Sequence, residues 1–181
     1  MLLFMSRHIN AILINDDLAN EPYTLGEALG VPQDQLSLMS SGGNLHEVEK
    51  SCDDIAVGYL NGWTVMWGRP ILCNDFDDPK FAALSSGAKL LYFVAEGTSG
   101  TYGFSWYVDG VKIRQWIEQE GEILIDAGTL LPEEGKLPDA EDDIEWHVLG
   151  IVEKLAIPID ELYAARYNVY RIGQESRRGS R

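Results

Sequence analysis

From residue 55 onward, the middle of the chain has short hydrophobic segments separated by turn-forming residues, a pattern that favours β-strands. Residues 55–60 and Trp63–Trp67 are rich in β-branched and aromatic side chains, and the dipeptide between them, Asn61-Gly62, favours a tight turn. This segment therefore predicts a β-hairpin. Residues 90–95 form a short apolar run flanked by charged residues, which predicts a buried strand.

The clearest turn signal in the sequence is Asp109-Gly110. Both residue types tolerate the positive φ angles that a two-residue type I′ turn requires. A hairpin closed by this turn has residues 101–108 and 111–117 as its strands. Uninterrupted pairing from the turn places Trp106 opposite Ile113, so one face of the predicted hairpin is apolar.

Further elements are predicted on both sides of this hairpin. Residues 11–15 and 123–125 have the pattern of short strands, whereas residues 79–86 begin with proline and precede a glycine, which favours a short helix. Residues 167–172 fit either a last strand or the tail of a helix, and their alternation favours the strand. Four apolar residues at helical spacing predict a longer helix that packs on the sheet: Ile144, Val148, Ile151 and Leu155. In contrast, the serines and glycines of residues 40–44 predict a loop.

Together these elements predict an α+β fold. We expect a single domain over residues 1–173 with a largely antiparallel sheet of about five or six strands and two or three packed helices. The length of 181 residues and the 45% hydrophobic content are sufficient for one core. Residues 174–181 contain three arginines and no apolar residue, and they predict a flexible basic tail.

Charge adds a functional constraint. The formal net charge is −15 at pH 7, which disfavours direct binding to the phosphate backbone of nucleic acids and favours a basic protein as partner. No apolar run is long enough to span a membrane, and no export signal is evident at the N-terminus. The two cysteines, Cys52 and Cys73, do not constitute a disulfide framework. These features predict a cytoplasmic protein.

The acidic residues concentrate in two regions, 75–78 and 133–145, and Trp146 directly follows the second. Because tryptophan is frequent at the energetic centres of protein interfaces, an exposed tryptophan among carboxylates is a candidate anchor for a basic partner. The candidate partner-binding residues are Asp75, Asp77, Asp78, Glu133, Glu134, Glu141, Asp142, Asp143 and Trp146.

Two patterns raise the alternative of a small-ligand or catalytic site. Three carboxylates at residues 75–78 have the ligand type that calcium and magnesium prefer, but their spacing matches no EF-hand loop and helix capping explains Asp78. His46 and Cys52 invite a nucleophile interpretation, yet their spacing does not enforce contact. We therefore expect no catalytic residue, metal or cofactor.

The order of features resembles an uncharacterised family of small bacterial α+β domains found partly at polymorphic toxin and immunity loci. The matching segments are Gly62-Trp63 at the start of a strand, residues 84–87 at a helix end, the aromatic strand before Asp109-Gly110, and residues 154–162. This resemblance implies an intracellular binding or immunity protein and transfers no catalytic residue.

The sequence thus favours a non-enzymatic protein that neutralises a basic partner, such as a toxin, through an acidic face. One alternative is an enzyme or small-ligand-binding protein whose pocket leaves no motif in the sequence. A second alternative is an acidic DNA mimic, which would require carboxylates spaced like phosphates along one face. The oligomeric state stays open at this stage.

Overall fold

A single antiparallel sheet of nine strands dominates the structure. The computed structural model describes residues 8–21, 23–24, 26, 30–71, 79–136 and 144–173. The order of the strands across the sheet is β2-β9-β3-β4-β1-β5-β6-β7-β8, and every neighbouring pair is antiparallel. The strands are β1 (His8–Ile14), β2 (Leu36–Gly43), β3 (Asp54–Leu60), β4 (Trp63–Trp67), β5 (Lys89–Glu96), β6 (Thr101–Val108), β7 (Val111–Gln119), β8 (Glu122–Gly128) and β9 (Tyr167–Ile172).

Four short α-helices and one 3-10 helix lie among the described residues. The α-helices are α1 (Leu45–Val48), α2 (Pro79–Leu84), α3 (Ile144–Leu155) and α4 (Ile159–Ala164), and the 3-10 helix is Gln33–Gln35. Asn44 caps α1, because its side-chain oxygen accepts a hydrogen bond from the backbone N–H of Glu47 at 3.1 Å. The longest helix, α3, packs on β5 and β6.

The predicted sheet of five or six strands with two or three helices is wrong. Residues 40–44 were expected to form a loop, but all except Asn44 belong to β2. In addition, β1 lies between β4 and β5, and β9 lies between β2 and β3. These pairings join segments far apart in the chain, so no local pattern signals them. The strand prediction for residues 167–172 and the helix prediction from Ile144 to Leu155 are confirmed.

The hairpin at Asp109-Gly110 is confirmed, but its predicted register is wrong. Both turn residues have positive φ, at 50° and 76°, as a type I′ turn requires. The register then shifts, so that Trp106 lies opposite Arg114 and not opposite Ile113. Such a β-bulge redirects the side chains that follow it. As a result, Arg114 shares a face of the sheet with Trp106 and Trp116.

Apolar side chains cover both faces of the central strands. One face packs against α1, α3 and α4 and contains buried residues such as Trp67 and Phe93, while α2 covers part of the other face with Phe81. The residues of β1 and β5 therefore form nearly continuous hydrophobic runs, because alternate side chains enter different cores. The two edge strands, β2 and β8, differ from this pattern: most of their residues are exposed.

Candidate protein-binding edge

The edge strand β8 extends the sheet beyond the layer of helices. It follows β7 through a tight turn at Glu120 and Gly121, whose φ angles are 51° and 84°. Six of its seven residues are exposed, and only Ile125 is partly buried. A strand that contributes so little to the core leaves most of its side chains accessible to a partner.

Large apolar side chains and acidic side chains both occur along this edge and the segment that follows it. Ile123, Leu124 and Leu130 are 52%, 50% and 70% exposed, although each is strongly hydrophobic. No lysine or arginine occurs between Arg114 and Lys136, a stretch that contains six acidic residues. We define the β8 edge surface as Glu120, Glu122, Ile123, Leu124, Asp126 and Leu130.

A buried arginine, Arg114, connects the β8 edge surface to the neighbouring strand. The Arg114 side chain is 2% exposed, and its Nε donates to both carboxylate oxygens of Glu134 at 2.8 and 3.0 Å. Its Nη1 reaches the Asp126 carboxylate at 2.5 Å and the backbone carbonyl of Ala127 at 3.1 Å. Glu134 also accepts from the backbone N–H of Leu131 at 2.7 Å. Arg114 therefore ties β7, β8 and the segment after β8 together.

The carboxylates of this network stabilise the charged form of Arg114. The neighbouring carboxylate of Glu134 raises the pKa of Arg114 above its ordinary value, burial opposes this effect, and Asp126 adds to it. The guanidinium stays charged at any physiological pH. Because the Glu134 side chain is only 7% exposed and engaged by Arg114, its carboxylate faces the protein interior and is not available to an external partner.

His147 on α3 lies beside the same network. Its ring contacts Trp116 in an edge-to-face arrangement, with 6.3 Å between the ring centroids. Burial lowers the pKa of His147 below 6.5, the nearby Glu134 carboxylate opposes this shift, and Lys154 adds to it. His147 is therefore expected to be neutral in the folded protein at neutral pH.

This shift predicts a pH dependence of stability. Since the folded state disfavours the imidazolium, unfolding takes up a proton at His147 as the pH falls through 6.5. The free energy of unfolding of the wild type should thus decrease below this pH relative to that of His147→Gln, and the difference between the two proteins should become independent of pH above it. Denaturant titrations of both proteins from pH 5 to pH 8 measure this. If the free energies of unfolding of the two proteins change in parallel between pH 5 and pH 8, the lowered pKa of His147 is contradicted.

The structure places the sequence-predicted site residues in different environments. Glu134 is internal, whereas Glu133 is partly buried and its backbone carbonyl accepts a hydrogen bond from Lys154 Nζ at 3.0 Å. Trp146 is 56% exposed on the first turn of α3. The other predicted residues lie outside the described part of the chain: Asp75, Asp77, Asp78, Glu141, Asp142 and Asp143.

The exposed residues of the β8 edge surface were not predicted as a site. Residues 123–125 were predicted as a strand, but a strand pattern does not show whether it lies at the edge or the centre of a sheet. The available signal is the absence of basic residues between Arg114 and Lys136, combined with large apolar residues among the acidic ones.

The residues considered for catalysis have other contacts. The ring of His46 stacks on Tyr163 with 4.7 Å between centroids, and Cys52 Sγ accepts a hydrogen bond from Arg69 at 3.4 Å. In the described ranges, no three histidine, cysteine or acidic side chains are grouped as metal ligands would be. These contacts do not assemble a nucleophile with its base.

An open cavity of about 570 Å³ lies near the β2 edge, between β2 and the end of β9. Ser37, Met39, Asp53 and Arg171 are among its lining residues. Arg171 is bound by Asp54, with Nε–Oδ1 and Nη2–Oδ2 distances of 2.7 and 3.0 Å, and this contact lowers the pKa of Asp54. A general acid at neutral pH requires the opposite shift.

Comparisons with protein-family models, curated proteins and solved structures gave no match. Within the described residues, every helix is too short or too polar to cross a membrane.

Proposed function

We propose that this is a non-enzymatic cytoplasmic protein that binds a basic protein partner through the β8 edge surface. The proposed biological role is that of an immunity protein, which neutralises a toxin by covering a basic surface or active site. The observation that carries the proposal is the exposure of Ile123, Leu124 and Leu130 within a stretch that has acidic but no basic residues.

The apolar residues supply the binding free energy in this proposal. Burial of nonpolar surface contributes about 25 cal/mol per Å². Ile123, Leu124 and Leu130 are each at least half exposed, so a partner that covers them gains substantial binding free energy. Ile123 and Leu124 are consecutive in β8, and Leu130 follows six residues later, where the chain leaves the sheet. A protein interface commonly combines exposed apolar residues with charged residues nearby.

The acidic residues direct the choice of partner. Glu120, Glu122 and Asp126 lie on or beside the strand, and the whole chain has a net charge of −15. The negative electrostatic potential of these charges accelerates the approach of a basic protein and repels acidic proteins. Arg114 holds Asp126 and the segment after β8 in place, so the surface is formed before the partner arrives.

The first test is affinity capture from the native host with three tagged proteins. They are the wild type, a double variant Leu124→Ser with Leu130→Ser, and a control double variant Leu38→Ser with Met39→Ser. Leu38 and Met39 are 54% and 50% exposed on the opposite edge strand, so the control removes a similar apolar area. We expect the wild type and the control to retain a basic protein in stoichiometric amount.

The affinity of that purified partner is then measured for all three proteins. The Leu124→Ser, Leu130→Ser protein should bind at least about tenfold more weakly, since loss of each central apolar contact typically costs more than about 1 kcal/mol. Binding should also weaken as salt is added. Equal losses in both double variants, or a loss confined to the β2 control, would contradict the proposed surface.

A further inference from the structure

We propose that the partner contributes an extended segment with lysine or arginine side chains, which adds to β8 as a further strand of the sheet. This inference rests on the proposed function and specifies how its binding surface is used. The feature that carries it is the open edge of β8 together with the sign of the charges along it.

The backbone of β8 offers hydrogen-bonding groups to a new strand. Among the described residues, β8 pairs only with β7 and terminates the sheet. In an antiparallel ladder, half of the backbone N–H and C=O groups of an edge strand point away from its neighbour. The exposure of six of the seven residues leaves the strand accessible to a partner.

Proteins usually protect such an edge with charge, proline or bulges. β8 has two of these protections, the carboxylates of Glu122 and Asp126 and one bulge, but it has no proline and it contains three consecutive large aliphatic residues, Ile123, Leu124 and Ile125. Its pairing with β7 shifts once, at Leu124, and continues in register from Ile125 to Gly128. The opposite edge, β2, is interrupted twice, at Met39 and at Gly42, which disrupts a straight edge. The backbone of β8 is therefore the better template.

Charge selects the segment that adds to this template. Glu120 precedes the strand, and Glu122 and Asp126 lie within it. A second copy of this chain is a poor occupant, because pairing β8 with β8 brings these carboxylates together between two molecules of net charge −15. An extended segment with lysine or arginine at alternate positions matches both the backbone and the charge.

The experiment uses the full-length protein and three synthetic peptides long enough to cover the seven residues of β8. The first peptide alternates lysine and valine. The second has the same side chains but methylated backbone nitrogens along one edge, so it retains its charge and loses strand hydrogen bonds. The third has glutamate in place of lysine. Binding is measured by calorimetry at low salt, with the wild type and with Glu120→Lys, Glu122→Lys.

We expect the lysine–valine peptide to bind the wild type and to slow amide hydrogen exchange in β8. The methylated peptide should bind at least about tenfold more weakly, since main-chain hydrogen bonds supply the affinity in strand addition. The glutamate peptide and the Glu120→Lys, Glu122→Lys protein should show no binding. Self-association of the wild type through β8 would overturn the choice of occupant.

Equal binding of the methylated and unmethylated peptides would overturn strand addition. Protection of β2 in place of β8 would overturn it as well. Neither result contradicts the proposed function if a native partner binds the wild type and does not bind the Leu124→Ser, Leu130→Ser protein. Conversely, strand addition of the peptide without any native partner would contradict the proposed function and leave the backbone mechanism intact.

Discussion

Replacement of Arg114 by alanine is expected to lower the free energy of unfolding by about 3–5 kcal/mol. The Arg114 side chain is 2% exposed and is the hydrogen-bonding partner of the buried Glu134 carboxylate. Without the guanidinium, this carboxylate is left in the interior with only the backbone N–H of Leu131 as a described donor. The segment after β8 should detach locally as well. Chemical denaturation measures the global effect.

Two comparisons distinguish this cause from a general loss of packing. Arg171→Ala removes an arginine that also binds a carboxylate, but the Arg171 side chain is 52% exposed, so the denaturation midpoint should change little. Arg114→Met combined with Glu134→Leu removes both buried charges and should recover much of the stability. If the double variant is no more stable than Arg114→Ala, an unpaired carboxylate is not the cause.

Replacement of Trp67 by alanine is expected to cost about 3–5 kcal/mol, comparable to the effect at Arg114. Trp67 is fully buried at the end of β4 and lies between the sheet and the helices. Its ring makes edge-to-face contacts with Phe93 and Tyr163, both at 5.6 Å between centroids. Alanine leaves a cavity in the larger core, among the residues that surround Trp67.

Trp146→Ala is the matched control for this change. Trp146 is 56% exposed on α3, so its replacement should alter the free energy of unfolding by less than about 1 kcal/mol. Thermal or chemical denaturation of both variants under identical conditions measures the difference. Similar losses at the two positions would show that exposure does not determine the contribution of tryptophan here.

The sequence predicts the local elements of this fold well. The Asp109-Gly110 turn, the α3 helix and the strand at residues 167–172 follow from residue types and periodicity. The count of strands in the sheet does not, because β1 and β9 pair with strands that lie far from them in the chain. The serine- and glycine-rich β2 lacks the usual composition of a strand, and its pairing with β9 stabilises it instead.

The candidate site is less predictable for a related reason. The bulge between Trp106 and Tyr107 changes the register by one position, which moves Arg114 to the face where it binds Glu134. Glu134 was predicted as a partner-binding residue because it is one of several nearby acidic residues, but this tertiary contact makes it internal. Exposure of Ile123 and Leu124 depends on β8 being an edge strand, which only the order of strands determines.

The most direct test of the central claim is amide hydrogen exchange of the protein alone and with the partner isolated by capture. Our account predicts slower exchange in β8 and in residues 129–134 when the partner is bound, with no change in β2. Unchanged exchange in β8, with protection confined to another part of the sheet or to the helices, would contradict it.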